Sequence, residues 1–534
     1  MNFRDSLNKH RIYLIIIGAI YPLGFAPFGY WVATFVSLCL LVNEIIYFCD
    51  TTVTGKENEH NKSNNKNTRL SLFSIGLYWS YGAFGVGVSW VYVSIHEYGH
   101  APVLGAVGIS FLFVLTLSLV KAAGIYSISR MQQWFGRNLL VLIIPFAWLI
   151  SEFAQRILFS GFPWLFAGYS QIDGPMWMLS TWLGVYGVSW FLLAITSCLV
   201  LLFTYYLKIK KEDGKNYLHR TTLYILIILI SVPLLASITA TEVIHPAKKS
   251  IDVALVQPNI AQDDKWDRRH FSRIVDILYE QSNDHWDADL IVWPEGAIPA
   301  YHHQVQDIIQ DINRYALNTN TDLLLGLPVY EPAQDTSYAA FVSLGSSEQT
   351  YHKQVLVPFG EYVPLGQWLR GIIEFLNLPM SNFSPATTTQ QPMDFGDYQV
   401  IPAICYEIAY PDIVHALMEQ ADENMSKPKL IVTVSNDAWF GNSWGPYQHM
   451  EMARMRALEL GIPLVRSTND GITAVVDARG NMLARINRYE QATLRRVVSL
   501  EHYKTLYRSY GLMGIYLLMG ISLVIFGARR LLMR

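Results

Sequence analysis

The stretch LIVWPEGAIP, residues 290–299, decides how the second half of this chain folds. An unbroken apolar run stops abruptly at Pro294 and Glu295. A run that short and that apolar reads as a fully buried strand, with an acidic side chain at its C-terminal end. Similar runs lie on either side of it: IDVALVQ (251–257), TDLLLGLP (321–328), QVIPAICYE (399–407), LIVTVSN (430–436) and ITAVVDARG (472–480). Helix-like segments, such as 267–283 and 446–461, fall between several of them. Buried strands alternating with helices predict an α/β domain whose sheets are covered by helices. We place it at 242–510, long enough for its own core.

Outside that domain the chain changes character. Over all 534 residues it is 51% hydrophobic and 16% charged, against roughly a quarter charged in ordinary soluble domains. The mean hydropathy is +0.22. A formal net charge of -3 gives no basic surface for nucleic acid. Apolar runs near bilayer length fall at 12–28, 30–49, 70–94, 102–122, 138–158, 176–207, 221–241 and 511–528. These predict an N-terminal helical membrane part (1–241), the α/β domain, and a last span with its tail (511–534). No small-residue cleavage site follows the first run, so it reads as a span and not as a signal peptide. Pro22, Gly24, Pro27 and Gly29 separate the first two runs and suggest a hairpin.

Basic residues set the orientation, because cytoplasmic loops keep Lys and Arg. Arg4, Lys9 and Arg11 precede the first span, Lys56, Lys62, Lys66 and Arg69 follow the second, and Arg130 and Arg137 follow the fourth. Lys208, Lys210, Lys211, Lys215 and Arg220 follow the sixth, and Arg529, Arg530 and Arg534 end the chain. Loops 95–101 and 159–175 have neither residue type. Both termini are then cytoplasmic, and the α/β domain lies on the outer side. The polar loop 54–68 reads as a plain connection.

Of the four cysteines, Cys39, Cys49 and Cys198 sit in apolar runs, where a thiol behaves as a small hydrophobe. Only Cys405, in ICYEIAYPD, lies in a polar stretch. Taken alone it is a core cysteine or a nucleophile. Glu295 alone is an exposed loop carboxylate or a site residue, and Lys353, in YHKQVLVPFGEYVPLG, is by default a solvated lysine. As a set they make chemical sense. A thiol needs a base before it attacks an acyl carbon, and an ammonium stabilises both thiolate and oxyanion.

The order Glu295, Lys353, Cys405 resembles the nitrilase, or carbon–nitrogen hydrolase, superfamily. The flanking stretches are similar to its apolipoprotein N-acyltransferase branch: VQPNIAQDDKW (256–266), VWPEGAIP (292–299), HKQVLVPFGEYVPL (352–365), ICYEI (404–408), SNDAWFG (435–441) and QHMEMARMRALELGIPLVRSTNDGITAVVD (448–477). In the membrane part, SGFPWLFAGYSQIDGP (160–175) and GVYGVSW (184–190) match as well. The resemblance implies a membrane bundle joined to an α-β-β-α sandwich. It implies that Cys405 takes an acyl chain from a membrane phospholipid and passes it to the N-terminal amine of a diacylated apolipoprotein. Glu295 would be the base and Lys353 the electrostatic partner. Glu361 would support Lys353, and Tyr406 and Glu407 would shape the site. Trp266 would cover the entrance, while Trp439 and Phe440 would line a substrate path. For these three aromatics core packing is the competing reading. The family implies a monomer in the bacterial inner membrane, with its catalytic domain in the periplasm and no cofactor or metal.

Three other readings compete. HEYGH (96–100) fits the H-E-x-x-H zinc pattern, but Gly99 and Pro102 break the helix that pattern needs. A membrane-tethered amidase would use the same triad on another substrate. The third is not an enzyme but a transporter or lipid-binding scaffold, and a transporter would need paired broken spans, which the sequence does not show. Within the spans, Glu152 and Arg156 lie four apart on one face and read as a mutual pair, or as a site near lipid headgroups. Glu44 reads as interfacial.

Overall fold

The computed structural model describes residues 3–53, 70–209, 217–239, 249–358, 360–362, 383–423 and 427–533. The 54–68 loop, the basic residues Lys56, Lys62, Lys66, Arg69, Lys210, Lys211, Lys215 and Arg534, and the end of the 352–365 motif lie outside them. Two compact units form. The first comprises Met1–Tyr92, Leu104–Thr241 and Leu512–Arg534, and the second Val93–Val103 and Glu242–Gly511. The HEYGH segment thus belongs with the α/β unit, not with the helices it connects.

The first unit is helical. Among the described residues, five helices have the length and composition to cross a bilayer: Trp31–Asp50, Val103–Phe135, Arg137–Ile157, Trp177–Tyr206 and Met513–Leu532. The other expected spans give shorter helices. The first run is helical over Phe3–Ile20 and tightens into a 3-10 turn at Tyr21–Gly24, where Pro22 stands at the turn's start. The third stops as an α-helix at Gly87, and Thr221–Ala236 is apolar but short. Helices Phe3–Ile20 and Leu72–Gly87 lie so close that a Cβ at Gly82 would stand 2.1 Å from the Ile15 carbonyl oxygen. Small residues permit that approach. Beside this crossing, Trp79 packs between Tyr21 (5.2 Å) and Trp148 (5.7 Å) and donates its indole hydrogen to Ser37 Oγ. Glu152 is fully buried, and its Oε1 accepts from Trp148 Nε1, the Ala167 N–H and Ser189 Oγ. His10 lies 3.0 Å from Glu44.

The second unit contains two six-stranded sheets. Its strands are β1 (Ser250–Gln257), β2 (Leu290–Val292), β3 (Asp322–Glu331), β4 (Thr336–Leu344), β5 (Thr350–His352), β6 (Met393–Asp394), β7 (Gln399–Ile404), β8 (Lys429–Ser435), β9 (Leu464–Thr468), β10 (Ala474–Val476), β11 (Met482–Arg485) and β12 (Ala492–Ser499). One sheet runs β12-β1-β2-β3-β4-β5 and the other β11-β10-β9-β8-β7-β6. The parallel pairs sit in the middle of each sheet, β1–β2–β3 and β7–β8–β9; the remaining pairs are antiparallel. Strands β7, β8 and β9 are buried along their whole length, as strands covered on both faces must be.

Helices Phe271–Ser282 and Gln306–Thr319 place Ile274, Leu278, Ile309 and Ile312 on the first sheet, against Val256, Ile291 and Leu323. Helices Pro411–Asp422 and Gly445–Leu460 cover the second. The sheets meet where Ser467 Oγ donates to the Val256 carbonyl (2.8 Å) and Thr468 Oγ1 to Gln257 Oε1 (3.2 Å). Helix, sheet, sheet and helix therefore stack in four layers.

Candidate active site

Glu295, Lys353 and Cys405 each follow the last residues of a strand: β2, β5 and β7. Strand ends deliver side chains to one edge of an α/β sandwich, where polar groups escape the core. The Glu295 loop is laid onto the sheet by hydrogen bonds from Trp293 N to the Leu324 carbonyl and from Ala297 N to the Gly326 carbonyl, each 2.8 Å. Gly326 must be a glycine for this, because a Cβ there would stand 2.7 Å from Glu295 Cα.

Lys353 has no solvent-exposed side-chain surface. Its Nζ donates to Glu295 Oε1 at 3.0 Å and to Glu361 Oε1 at 2.7 Å. Burial alone would lower its pKa, but the two carboxylates hold it well above the usual lysine value. Glu361 is pushed up by burial, against the pull of Lys353, and accepts from the Val357 N–H at 2.8 Å. Glu295 Oε2 accepts from the Asn436 N–H at 2.9 Å. One ammonium between two carboxylates leaves a net negative charge, so Glu295 can take a proton while Lys353 keeps its charge partner in Glu361.

Cys405 opens a tight turn with φ at 51°, a strained position for a residue with a Cβ. Burial and the Glu295 charge push its thiol up, and Lys353 opposes them. The thiol is therefore neutral at rest and needs a base. Glu407, two residues on, is fully buried and accepts from the Ile404 N–H (2.7 Å), the Gln354 N–H and Tyr351 Oη (3.1 Å). It fastens the turn carrying Cys405 to the strand end carrying Lys353. Burial pushes its pKa up to about 7, against those hydrogen bonds. Tyr406 packs edge-on to Tyr410 at 5.2 Å.

The three aromatics expected near substrate are all half-buried. Trp266 follows Lys265, and its indole nitrogen is buried with no hydrogen-bond partner among the described residues. Trp439 packs edge-on against Tyr98 at 6.0 Å, and its carbonyl accepts from Ser94 Oγ at 2.7 Å. The HEYGH segment thus forms a wall beside Trp439. Its Ser94–Tyr98 stretch is a π-helical turn, in which His96 Nδ1 lies 2.8 Å from the Ala101 carbonyl. Among the described residues no cluster of His, Cys, Asp or Glu is placed to hold a metal ion. Phe440 lies 5.9 Å from the His449 ring.

Several neighbours carried no sequence expectation. Lys265 is buried, donates to the Glu295 carbonyl at 2.9 Å, and is pushed down to about 8 by burial. Asp470 is also buried and pushed up to about 7. Ser435, Asp437, His449 and Arg466 form a polar network behind Cys405. The one available signal was the polar SND directly after an apolar strand (435–437).

The sandwich and the site thus point to carbon–nitrogen hydrolase chemistry, and the apolar helices to a membrane. Similarity to known proteins agrees along the whole chain. The family described as carbon-nitrogen hydrolase matches residues 252–507, and that described as apolipoprotein N-acyltransferase N-terminal domain matches 17–199. An apolipoprotein N-acyltransferase of Shewanella oneidensis is 34% identical, over 99% of this chain and 97% of its own. Those of Photobacterium profundum (35%, over 97% and 94%) and Pseudomonas aeruginosa (35%, over 94% and 93%) are as similar. With identity of this order running through both units, the chain belongs to the apolipoprotein N-acyltransferase family.

Proposed function

We propose that this membrane acyltransferase works by two displacements at Cys405. Glu295 takes the thiol proton, and the thiolate attacks an ester carbonyl of a membrane phospholipid. Lys353, kept charged by its two carboxylates, stabilises the oxyanion. The lysophospholipid oxygen leaves with the proton held by Glu295, and a Cys405 thioester remains. The free α-amine on the N-terminal cysteine of a diacylated apolipoprotein then attacks, Glu295 accepts its proton, and the thiolate leaves. The buried Lys353 between Glu295 and Glu361, beside the Cys405 turn, is the observation that carries this reading. Glu361 and Glu407 hold the machinery in place, and Trp266, Trp439 and Phe440 border the acyl path.

A defined phospholipid and a diacylated lipopeptide, mixed with purified enzyme, test it. Triacylated product should form, and Cys405→Ala, Glu295→Gln and Lys353→Met should each cut its rate at least about a thousandfold. The same lipopeptide N-acetylated beforehand should not react. Acylation of the blocked peptide, or an active Cys405→Ala, would sink the proposal.

We also infer that residues 242–510 face the periplasm from the inner membrane, with both termini cytoplasmic and the enzyme acting as a monomer. The Lys and Arg distribution supports this orientation. A cysteine placed at exposed Asp397 should react with a membrane-impermeant maleimide in intact spheroplasts. Labelling only after lysis would reverse the orientation.

A further inference from the structure

Behind Cys405 lies a polar network that the displacements above leave unused. Parallel pairing aligns Ile404 with Val434, so Cys405 and Ser435 come next along their strands and end side by side. Ser435 Oγ stands 3.4 Å from Cys405 Sγ and 2.6 Å from Asp437 Oδ1. Ser435, Asp437 and Arg466 have no exposed surface, and His449 is 1% exposed. Burial alone would raise the Asp437 pKa, but the Arg466 guanidinium at 2.9 Å and the contacts with His449 and Ser435 together outweigh it, so the carboxylate stays ionised. His449 Nε2 faces the Cys405 carbonyl at 3.0 Å, and a carbonyl only accepts, so the ring carries its hydrogen there. Burial and Arg466 push its pKa down, against the pull of Asp437, and its Nδ1 lies 3.0 Å from Arg466 Nη2 and 3.2 Å from Asp437 Oδ1.

A hydroxyl has one hydrogen to give and can accept at the same time. While sulfur is a neutral thiol, that hydrogen is best placed on the Asp437 carboxylate, and the Ser435 oxygen accepts from S–H. Once sulfur is a thiolate, the same hydrogen is worth more there. We propose that Ser435 is a further catalytic residue, whose hydroxyl hydrogen turns from Asp437 to Cys405 Sγ whenever sulfur bears negative charge.

In acylation, Glu295 removes the thiol proton and the Ser435 hydrogen turns to the thiolate. As the C–S bond forms, the charge moves to the carbonyl oxygen and the hydrogen returns to Asp437. In the second displacement the C–S bond breaks, its electron pair returns to sulfur, and the hydrogen turns again until Glu295 gives its proton back. Ser435 gains and loses no proton. Asp437 is never abandoned, because Arg466 Nη2 lies 3.1 and 2.9 Å from its two oxygens.

The inference rests on Cys405 being the nucleophile, but not on the identity of the acyl donor or acceptor. Its test therefore needs no lipid substrate. Iodoacetamide is added to the full-length enzyme in detergent across a range of pH, and carboxamidomethylation of Cys405 is followed by peptide mass spectrometry. Glu295, Lys353, Glu361, Lys265, Asp437 and His449, the charged or titratable groups around the sulfur, stay in place in every variant. Ser435→Ala should slow alkylation about tenfold on the acid side and move its pH midpoint up by about one unit, the worth of one hydrogen bond to a charged group. Should alanine lose the fold, Ser435→Cys, a weaker donor, carries the same expectation. A midpoint that stays put or falls would overturn the proposal.

Discussion

Glu407 shows how much of this site is held by buried charge. Its carboxylate is ordinary at 4.5 in an unfolded chain and near 7 in the folded one, chiefly because it is buried. Between those values the folded state keeps a proton that the unfolded state has released, so stability falls as pH rises from about 4.5 to about 7. The shift is worth about 3 kcal/mol. Glu407→Gln should reduce that loss when thermal midpoints are compared across the window, leaving a slope of the same sign due to Asp470. An unchanged slope would place the titration elsewhere. Glu295 and Cys405 stood out in the sequence because each ends an apolar run, while Lys353, after the polar SEQTYH (347–352), entered only as a member of the set. Ser435, Asp437, His449 and Arg466 did not stand out. A buried polar side chain looks like a surface one until its partners are known, and these partners come from two strands, a 3-10 turn and a helix that only the fold brings together.

Strands were legible where they are unbroken apolar runs and obscure where polar residues interrupt them, as Arg466 and Ser467 do in the wholly buried β9. Strands β7 and β8 announce themselves as apolar runs, because helices cover one face and the other sheet covers the other. Strand β12 is an edge whose residues are largely half-exposed or exposed, and its ATLRRVVS hides among loops. Strand β4 is buried over Tyr338–Leu344 and was missed because Ser and Ala dilute its apolar run. In the helical unit the third run was read as continuous, but its α-helix stops at Gly87, at the end of the glycine-rich GAFGVG (82–87). The close crossing of Phe3–Ile20 with Leu72–Gly87 carries its own prediction. Gly82→Leu forces a side chain into the Ile15 carbonyl, so the helices must separate, at a cost of about 3 kcal/mol. Thermal unfolding in detergent should show it as a lowered midpoint, and an unshifted midpoint would mean that the crossing is looser than described.

At the scale of the whole molecule, the joining of a carbon–nitrogen hydrolase sandwich to membrane helices follows from its substrates. Drawing an acyl chain out of a bilayer costs about 0.8 kcal/mol per CH₂, so a freely soluble enzyme would meet that barrier at every turnover. An enzyme carried by the membrane meets its lipids where they are. In the proposed mechanism the intermediate is a lipid-borne acyl group on the Cys405 sulfur, and this is what should be measured first. Purified enzyme is incubated with phospholipid alone and its intact mass is recorded. The account predicts a gain of one fatty acyl chain, removed by hydroxylamine, absent in Cys405→Ala, and discharged into a diacylated lipopeptide added afterwards. Folded enzyme that turns over lipopeptide yet never carries the acyl mass, or carries it on a residue other than Cys405, would contradict it.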